Sequence, residues 1–394
     1  MAEGSEKTVV VVGGGAAGLM ASLHAAAAGA RTTVLEQNDK TGRKLLVTGN
    51  GRCNLTNLSL EPDSYRGEDP SFILPALERF GVMDTLRFFS ELGIYTVNRQ
   101  GYMYPRSGQA ASVRDVLLME AQNRKVRVKT REKVLEIKRT RSSEKRFLVR
   151  TEGWQYPADA VILANGSPAS DIPGACSSGY DLAASLGHHV IKPLPALVPL
   201  VCKEKYPWAG VRTEGELTLL VDGKPAARES GELQLTDYGI SGIPVFQLSR
   251  YAVRALEDGK RAELLVDFFP DYPENDLEGF LETRKKNCPY KSTRELLIGL
   301  FPDKLIKVLT SREPLIRSIK AFPLTVKGSG GFERAQVCQG GVDTAEVDPV
   351  TMESRLCPGL FFAGEILDID GKCGGYNLQW AWSSGAAAGK ATEE

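Results

Sequence analysis

The chain opens with apolar runs separated by small-residue stretches. Residues 9–12 are uniformly apolar, the pattern of a strand buried on both faces of a parallel sheet. An alanine-rich stretch follows, which favours helix, and Gly29 supplies a C-terminal stop. Residues 31–35 predict a second strand, ending at Glu36. Together, residues 8–36 read as a β-α-β unit. Phe72, Leu77, Phe80, Leu86, Phe89 and Leu92 anchor one amphipathic helix over 71–93. Residues 94–104 predict a hairpin and 109–124 another helix. Residues 126–128, 134–137, 147–150 and 160–163 read as strands.

Around residue 190 the texture changes. KPLPALVPL is punctuated by proline, which disfavours helix. Strand-like stretches follow at 217–221, 232–236 and 262–268. Residues 275–312 lack strand patterning and are charged and helix-prone. Strands resume within 318–341. The expected organisation is a discontinuous nucleotide-binding domain (1–190 and 345–394), an inserted β-rich substrate domain (191–270 and 318–344) and a helical lid subdomain (271–317). Residues 40–57, KTGRKLLVTGNGRCNLTN, read as a long irregular loop, a common place for function.

Composition narrows the class. The protein has 394 residues, enough for two or three domains. Lys plus Arg and Asp plus Glu number 49 each, so no global field favours nucleic acid or a membrane. No apolar run is long enough to span a bilayer, and the N-terminal MAEGSEK is too polar for a signal peptide. Seven cysteines without a C-x-x-C pair fit a reducing cytoplasm. The three histidines, His24, His188 and His189, show no metal-ligand spacing, and no metal is expected.

Gly13, Gly15 and Gly18 fit G-x-G-x-x-G directly after the first strand. Gly13 allows the tight turn, Gly15 lets backbone approach a pyrophosphate, and Gly18 lets the helix pack on the sheet. The free N–H groups of the helix start face the phosphates. Glu36 stands at about the spacing of a ribose-binding carboxylate. A glycine-rich turn without ligand is the alternative reading.

Two later segments resemble motifs of glutathione-reductase-type flavoproteins. Residues 159–166, DAVILANG, resemble the A-T-G strand-turn midway through such proteins, with Asn165 in place of threonine. Residues 360–365, LFFAGE, resemble the late strand-plus-acid motif, which implies that Glu365 binds the ribityl moiety. The implied fold is α/β: a glutathione-reductase-type FAD-binding Rossmann domain carrying an inserted β-rich domain and a helical subdomain. After Gly374–Gly375, a helix is expected to start near Tyr376 or Asn377, its N–H groups facing the flavin pyrimidine edge. A helix start that only packs is the alternative.

GRKLLVTGNGRCNLTN, ELQLTDYGISGIPVFQLSR, TMESRLCPGLFFAGEILDIDG and CGGYNLQWAWSSGAAAG resemble the FAD-dependent oxidoreductase family related to 3-dehydro-bile-acid Δ4,6-reductase and to aminoacetone oxidase. The resemblance spans nearly the whole sequence and implies FAD. By position it implies contacts from Gly13, Gly15, Ala16, Ala17, Gly18, Glu36, Gln37, Lys44, Thr48, Gly51, Arg52, Cys53, Asn54, Val134, Ala164, Gly166, Gly364, Glu365, Asp370, Gly374, Gly375, Asn377 and Leu378. Lys44 is expected to offset phosphate charge.

The absences matter too. Leu58 stands where a disulfide reductase would carry the partner of Cys53, so no redox disulfide forms there. No second glycine fingerprint marks a nicotinamide domain, so either NADH or NADPH acts as a transient electron donor or electrons come from elsewhere. The expected function is reduction of an activated C=C bond in an apolar small molecule by a cytoplasmic monomer or homodimer. Tyr376, Tyr238, Lys372, Tyr104 and Tyr102 are candidates for the required acid. Aromatic residues around Tyr102, Phe246 and 380–382 could line the substrate cleft or belong to the core. An oxygen-using amine oxidase and a flavin redox sensor without turnover are the rivals.

Overall fold

The computed structural model of the protein describes residues 7–140 and 145–393. The polar start read above as lacking a signal peptide lies outside them, apart from Lys7. The molecule divides into two compact units, Met1–Pro193 with Val337–Glu394, and Leu194–Gln336.

In the first unit, β1 (Thr8–Val12) is the centre of a five-stranded sheet. α1 (Ala16–Ala27) connects it to β2 (Arg31–Glu36), its parallel neighbour. On the other side lie Ala160–Leu163 and then Leu360–Phe362, both parallel, and Arg127–Thr130 closes the β2 edge. All five residues of β1 are buried, which is why the run lacks polar alternation. This is a Rossmann-type α/β sheet assembled from the beginning, middle and end of the sequence.

The C-terminal helix Tyr376–Ala391 packs against α1. A Cβ on Gly385 would stand 2.6 Å from the Ala17 carbonyl oxygen, and one on Gly389 would stand 2.8 Å from the His24 Cβ. Close helix contact therefore demands the glycine and alanine content of SSGAAAG. Trp380 and Trp382 on this helix are core residues, 1% and 0% exposed, and do not line a cleft. Their indole N–H groups donate to the carbonyls of Gly364 (3.2 Å) and Leu55 (3.0 Å).

Some expected elements change form. The helix predicted over 71–93 breaks at Gly81 into Leu74–Arg79 and Val82–Glu91, the second capped by Asp84 accepting from the Gly81 N–H at 3.0 Å. The loop 40–57 contains the helix Arg43–Gly51, but Thr48, Gly49 and Asn50 leave helical geometry. The hairpin forms from Thr96–Arg99 and Tyr102–Pro105, with Thr56–Asn57 beside the second strand.

The second unit is a closed antiparallel barrel in the order Leu200–Cys202, Gly239–Ser241, Lys224–Leu235, Val211–Val221, Ala262–Asp267 and Phe322–Ser329. Trp208, Phe268 and Phe322 cluster in its core at ring separations of 5.4–6.3 Å. The helix Ile243–Glu257 was not expected. Its signal was present: Pro244 in the first turn, then Val245, Leu248, Ala252 and Ala255 buried on one face. The helix Glu274–Asn287 and the shorter Thr293–Leu296, Asp303–Leu309 and Leu315–Lys320 follow. Among the described residues no helix is long and apolar enough to cross a membrane.

Candidate functional site

The glycines after β1 each meet a separate constraint. Gly13 has φ +104°, and a Cβ there would lie 2.5 Å from the Ala164 carbonyl oxygen. A Cβ on Gly18 would press on the Gly13 carbonyl and sit 3.3 Å from the Ala164 Cβ. Gly15 is different: nothing lies within 4 Å of its Cβ position. Gly15 begins α1 without a side-chain cap, so the N–H groups at Ala16, Ala17 and Gly18 open onto that space. Packing explains Gly13 and Gly18, while the fold itself places no demand on Gly15.

The Glu36 carboxylate is 7% exposed. One oxygen accepts from the Gly14 N–H at 2.9 Å, the other from the Asn38 backbone and side-chain N–H groups at 2.8 Å each. Gln37 donates to the Gly174 carbonyl at 2.6 Å. Val134 is buried and pairs with Thr151. Ala164 is buried at the strand end, while Gly166 (φ +71°) has open space at its Cβ position. Between them, Asn165 Oδ1 is buried with no hydrogen-bond partner.

The late motif sits against α1: a Cβ on Gly364 would lie 2.7 Å from the Ala17 Cβ. The Gly364 N–H donates to Ser384 Oγ at 2.9 Å. Glu365 meets Lys44 Nζ at 2.6 Å, accepts from Ser167 Oγ at 2.7 Å and from the Cys338 N–H at 3.1 Å. The resemblance implied Lys44 near a phosphate and Glu365 at the ribityl moiety; here the two side chains pair with each other. Asp370 is buried in a two-residue strand paired with Tyr65–Arg66.

Gly374 and Gly375 lead into the C-terminal helix at Tyr376, which also lacks a side-chain cap. Gly375 has φ +98°, and a Cβ there would lie 2.8 Å from Thr56 backbone and 3.0 Å from Asn54 Oδ1. Asn54 Oδ1 is a second buried acceptor without a partner. The Asn377 amide is committed to the preceding turn, accepting from the Gly371 N–H (2.8 Å) and donating to its carbonyl (2.9 Å). Leu378 is half-buried at the core's edge, Thr48 Oγ1 donates to Leu45 O at 2.7 Å, and Gly51 and Arg52 are exposed. Cys53 is fully buried, and burial pushes its thiol up to about 12, against a smaller opposing pull from Thr48. It is an inert thiol at neutral pH. Uncapped helix starts, open space over Gly15 and orphaned acceptors at Asn54 and Asn165 fit a large polar cofactor such as FAD.

The candidate acids fare differently. Tyr376 donates its hydroxyl to the Ser59 carbonyl at 2.7 Å, which occupies its proton. Lys372 forms an ion pair with the exposed Asp63 at 2.6 Å. Tyr238, in the barrel unit, lies under the Arg334 guanidinium at 4.9 Å and lines a cavity of about 340 Å³ with Arg212 and Asp237. Tyr104 is half-buried, and burial raises its phenol while Arg52 and Arg99 oppose the shift. Tyr102 lies against Gly374: its ring carbon would be 2.6 Å from a Cβ there. Sequence reasoning missed Ser167, Ser384 and Arg99. Nothing local marks them, because their partners are distant in sequence. Among the described residues no group of three or more His, Cys, Asp or Glu is placed to hold a metal.

Three comparisons bear on this site. The profile of the HI0933-like protein Rossmann domain matches residues 7–391. The protein is 45% identical to the 3-dehydro-bile acid delta(4,6)-reductase of Clostridium scindens, over 96% of that relative and 95% of this chain. It is 30% identical to the ribosomal RNA dihydrouridine synthase of Haemophilus influenzae, over 98% of both. Among solved structures, the 3-ketosteroid-delta4-(5alpha)-dehydrogenase of Rhodococcus jostii RHA1 aligns with a TM-score of 0.53 at 17% identity, covering 98% of that protein and 100% of this one. That last likeness is one of fold.

Proposed function

The chain belongs to the HI0933-like family of FAD-dependent oxidoreductases, and from that premise we propose that it saturates a carbonyl-conjugated C=C bond in a steroid-like small molecule, with NADH or NADPH as electron donor. The observation that carries the reading is the 45% identity, end to end, with a reductase of 3-dehydro bile acids. FAD, when bound, supplies the two-electron centre that passes hydride to carbon.

The protein's own residues would do the rest. Gly13, Gly15 and the start of α1 hold the pyrophosphate, and Glu36 orients the first ribose through the oxygens it keeps fixed by Gly14 and Asn38. Asn54 and Asn165 offer buried acceptors to the cofactor's N–H and O–H groups. The start of the C-terminal helix, which has no side-chain cap, would offer positive dipole to negative charge on a bound cofactor. We assign the proton delivered to the second alkene carbon to Tyr102. Its hydroxyl has no protein partner among the described residues, and its ring adjoins Gly374. Tyr376 and Lys372 are less suited, because both donors are already engaged.

A second reading has its own observation. Dihydrouridine is uridine with its ring C=C saturated beside a carbonyl, so the Haemophilus influenzae relative acts on the same bond class within ribosomal RNA. The balanced charge of this protein offers no phosphate-tracking field, and the identity is lower. The test is anaerobic mixing of the flavoprotein with NADH and with NADPH, followed by a dienone steroid or by unmodified ribosomal RNA. Bleaching of the flavin band, then its return with a steroid product two hydrogens heavier, is the expected result. Return only with RNA favours the second reading. No bleaching with either nicotinamide, but bleaching by small amines, overturns both in favour of an oxidase.

A further inference from the structure

We propose that residues 170–176 form a strap over the ribose end of the cofactor site, latched by the Gln37 side chain, and that this latch sets how fast FAD enters and leaves. The proposal rests on the cofactor placement above, in which Glu36 meets the first ribose.

The Glu36 carboxylate is 7% exposed in the protein itself, so a ribose reaches it only when part of its cover moves. One of its oxygens is held by Asn38, whose backbone and side-chain N–H groups both donate to it at 2.8 Å. The strap lies directly on that side chain: a Cβ on Gly174 would stand 2.4 Å from Asn38 Nδ2. Gly174 also has φ +89°, so this close approach requires glycine. Within the strap Ile172, Ala175 and Cys176 are half-buried, while Asp171, Pro173 and Gly174 are exposed.

The latch is one side chain. Gln37 Nε2 donates to the Gly174 carbonyl at 2.6 Å and lies 3.6 Å from Cys176 Sγ. Among the described residues the strap's other hydrogen bonds stay local. The Ala175 N–H donates to the Ile172 carbonyl at 3.1 Å, and Cys176 Sγ meets Ser178 Oγ at 3.1 Å in the helix start that follows. A segment with so few ties to the body opens without disturbing the sheet.

The approach to the strap is built to bend. Ser170 has φ +97°, a conformation that side chains rarely adopt, and Gly166 has φ +71° with open space at its Cβ position. Hinges are short loop positions of this kind, which absorb a change of backbone direction. The cradle beneath is fixed instead. The Glu132 N–H donates to the Glu36 carbonyl at 2.9 Å and the Arg131 N–H to the Asn38 carbonyl at 2.8 Å.

The latch joins protein to protein, so breaking it favours the open strap equally with and without FAD. Entry and exit then quicken together and affinity stays the same. A direct contact from Gln37 to the cofactor has a different signature: faster exit alone, with weaker affinity.

The test follows flavin fluorescence during FAD binding to apoprotein and during release from holoprotein. Gln37→Leu should speed both steps by one common factor of about 3- to 10-fold, the effect of one hydrogen bond, with Kd unchanged. Gly174→Ala, which lifts the strap off Asn38, should do the same. Faster release with unaltered association in Gln37→Leu overturns the latch and makes Gln37 a cofactor contact. Unaltered rates in either variant overturn it too. Glu36→Ala separates the strap from the placement it rests on. If Glu36→Ala weakens FAD binding while the strap variants leave both rates alone, the placement stands and the strap falls. If Glu36→Ala leaves FAD affinity unaltered, the placement fails and the strap falls with it.

Discussion

Lys44 and Glu365 lie 321 positions apart in sequence, yet their charged atoms meet at 2.6 Å. The pair joins the glycine-rich loop that follows β2 to the strand end that closes the sheet. Both side chains are partly shielded, 27% and 18% exposed. Lys44→Met leaves the carboxylate with Ser167 and the Cys338 N–H only. We expect it to cost about 1–2 kcal/mol, between exposed and buried pairs. Thermal unfolding checks this, and Lys44→Arg should restore most of the loss.

Gly15 and Gly375 separate folding from cofactor binding. Gly15→Ala introduces a Cβ into open space at φ −81°, so apoprotein stability should change by less than about 1 kcal/mol. If pyrophosphate occupies that space, FAD affinity falls sharply in the same variant. Gly375→Ala strains a left-handed residue and presses on Thr56 backbone, so it should lower both stability and FAD retention. Calorimetry of the apoprotein and FAD titration distinguish the two; unaltered FAD affinity in Gly15→Ala would sink the pyrophosphate assignment.

Tyr102→Phe should leave reduction of the flavin by nicotinamide intact and slow the step on the alkene by about 10²–10⁴-fold, the usual range for a lost general acid. Stopped-flow measurement of each half-reaction decides it. Equal slowing of both halves would mean that Tyr102 shapes the site rather than supplying a proton.

Cys53→Ser should retain turnover within a few-fold, and iodoacetamide at mildly alkaline pH should not label Cys53. Its thiol is buried and held up to about 12, so the thiolate is absent under those conditions. Rapid labelling, with loss of activity, would contradict an inert role.

His24 predicts a pH dependence. It stacks on Phe88 and meets Phe80 edge-on, and burial, reinforced by Lys390 and Arg124, lowers its pKa to about 3. The unfolded protein takes up this proton near its ordinary value of 6.5 while the folded protein does not. The contribution of neutral His24 is therefore full above 6.5 and is lost as pH falls toward about 3, at about 1.4 kcal/mol per pH unit. Between pH 7 and 5 the unmodified protein should lose about 2 kcal/mol more than His24→Phe in urea unfolding. Parallel pH profiles for the two would show that His24 titrates normally.

The local grammar of the sequence determined much of this protein. The β-α-β opening, the glycine spacing, the strands at 160–163 and 360–362 and the helix start after Gly375 are set by neighbours a few residues away. A sequence shows such neighbours directly. The family was legible for the same reason, in contiguous motifs such as GRKLLVTGNGRCNLTN. Partner identity was decided only by the tertiary structure. Glu365 was expected to meet the cofactor; that Lys44, Ser167 and the Cys338 N–H surround it came from the fold alone. Tyr376 was one of several candidate acids, and only the fold shows its hydroxyl donating to the Ser59 carbonyl. Trp380 and Trp382 could have lined a cleft; the packing of two small-residue helices buries them. Arg99 drew no notice, because only the hairpin brings its guanidinium within 5.6 Å of the Tyr104 ring centroid. Hydrogen bonds and ion pairs act over about 3 Å, while parallel crossovers bring together residues hundreds of positions apart. No spacing rule within the sequence encodes which of them will meet.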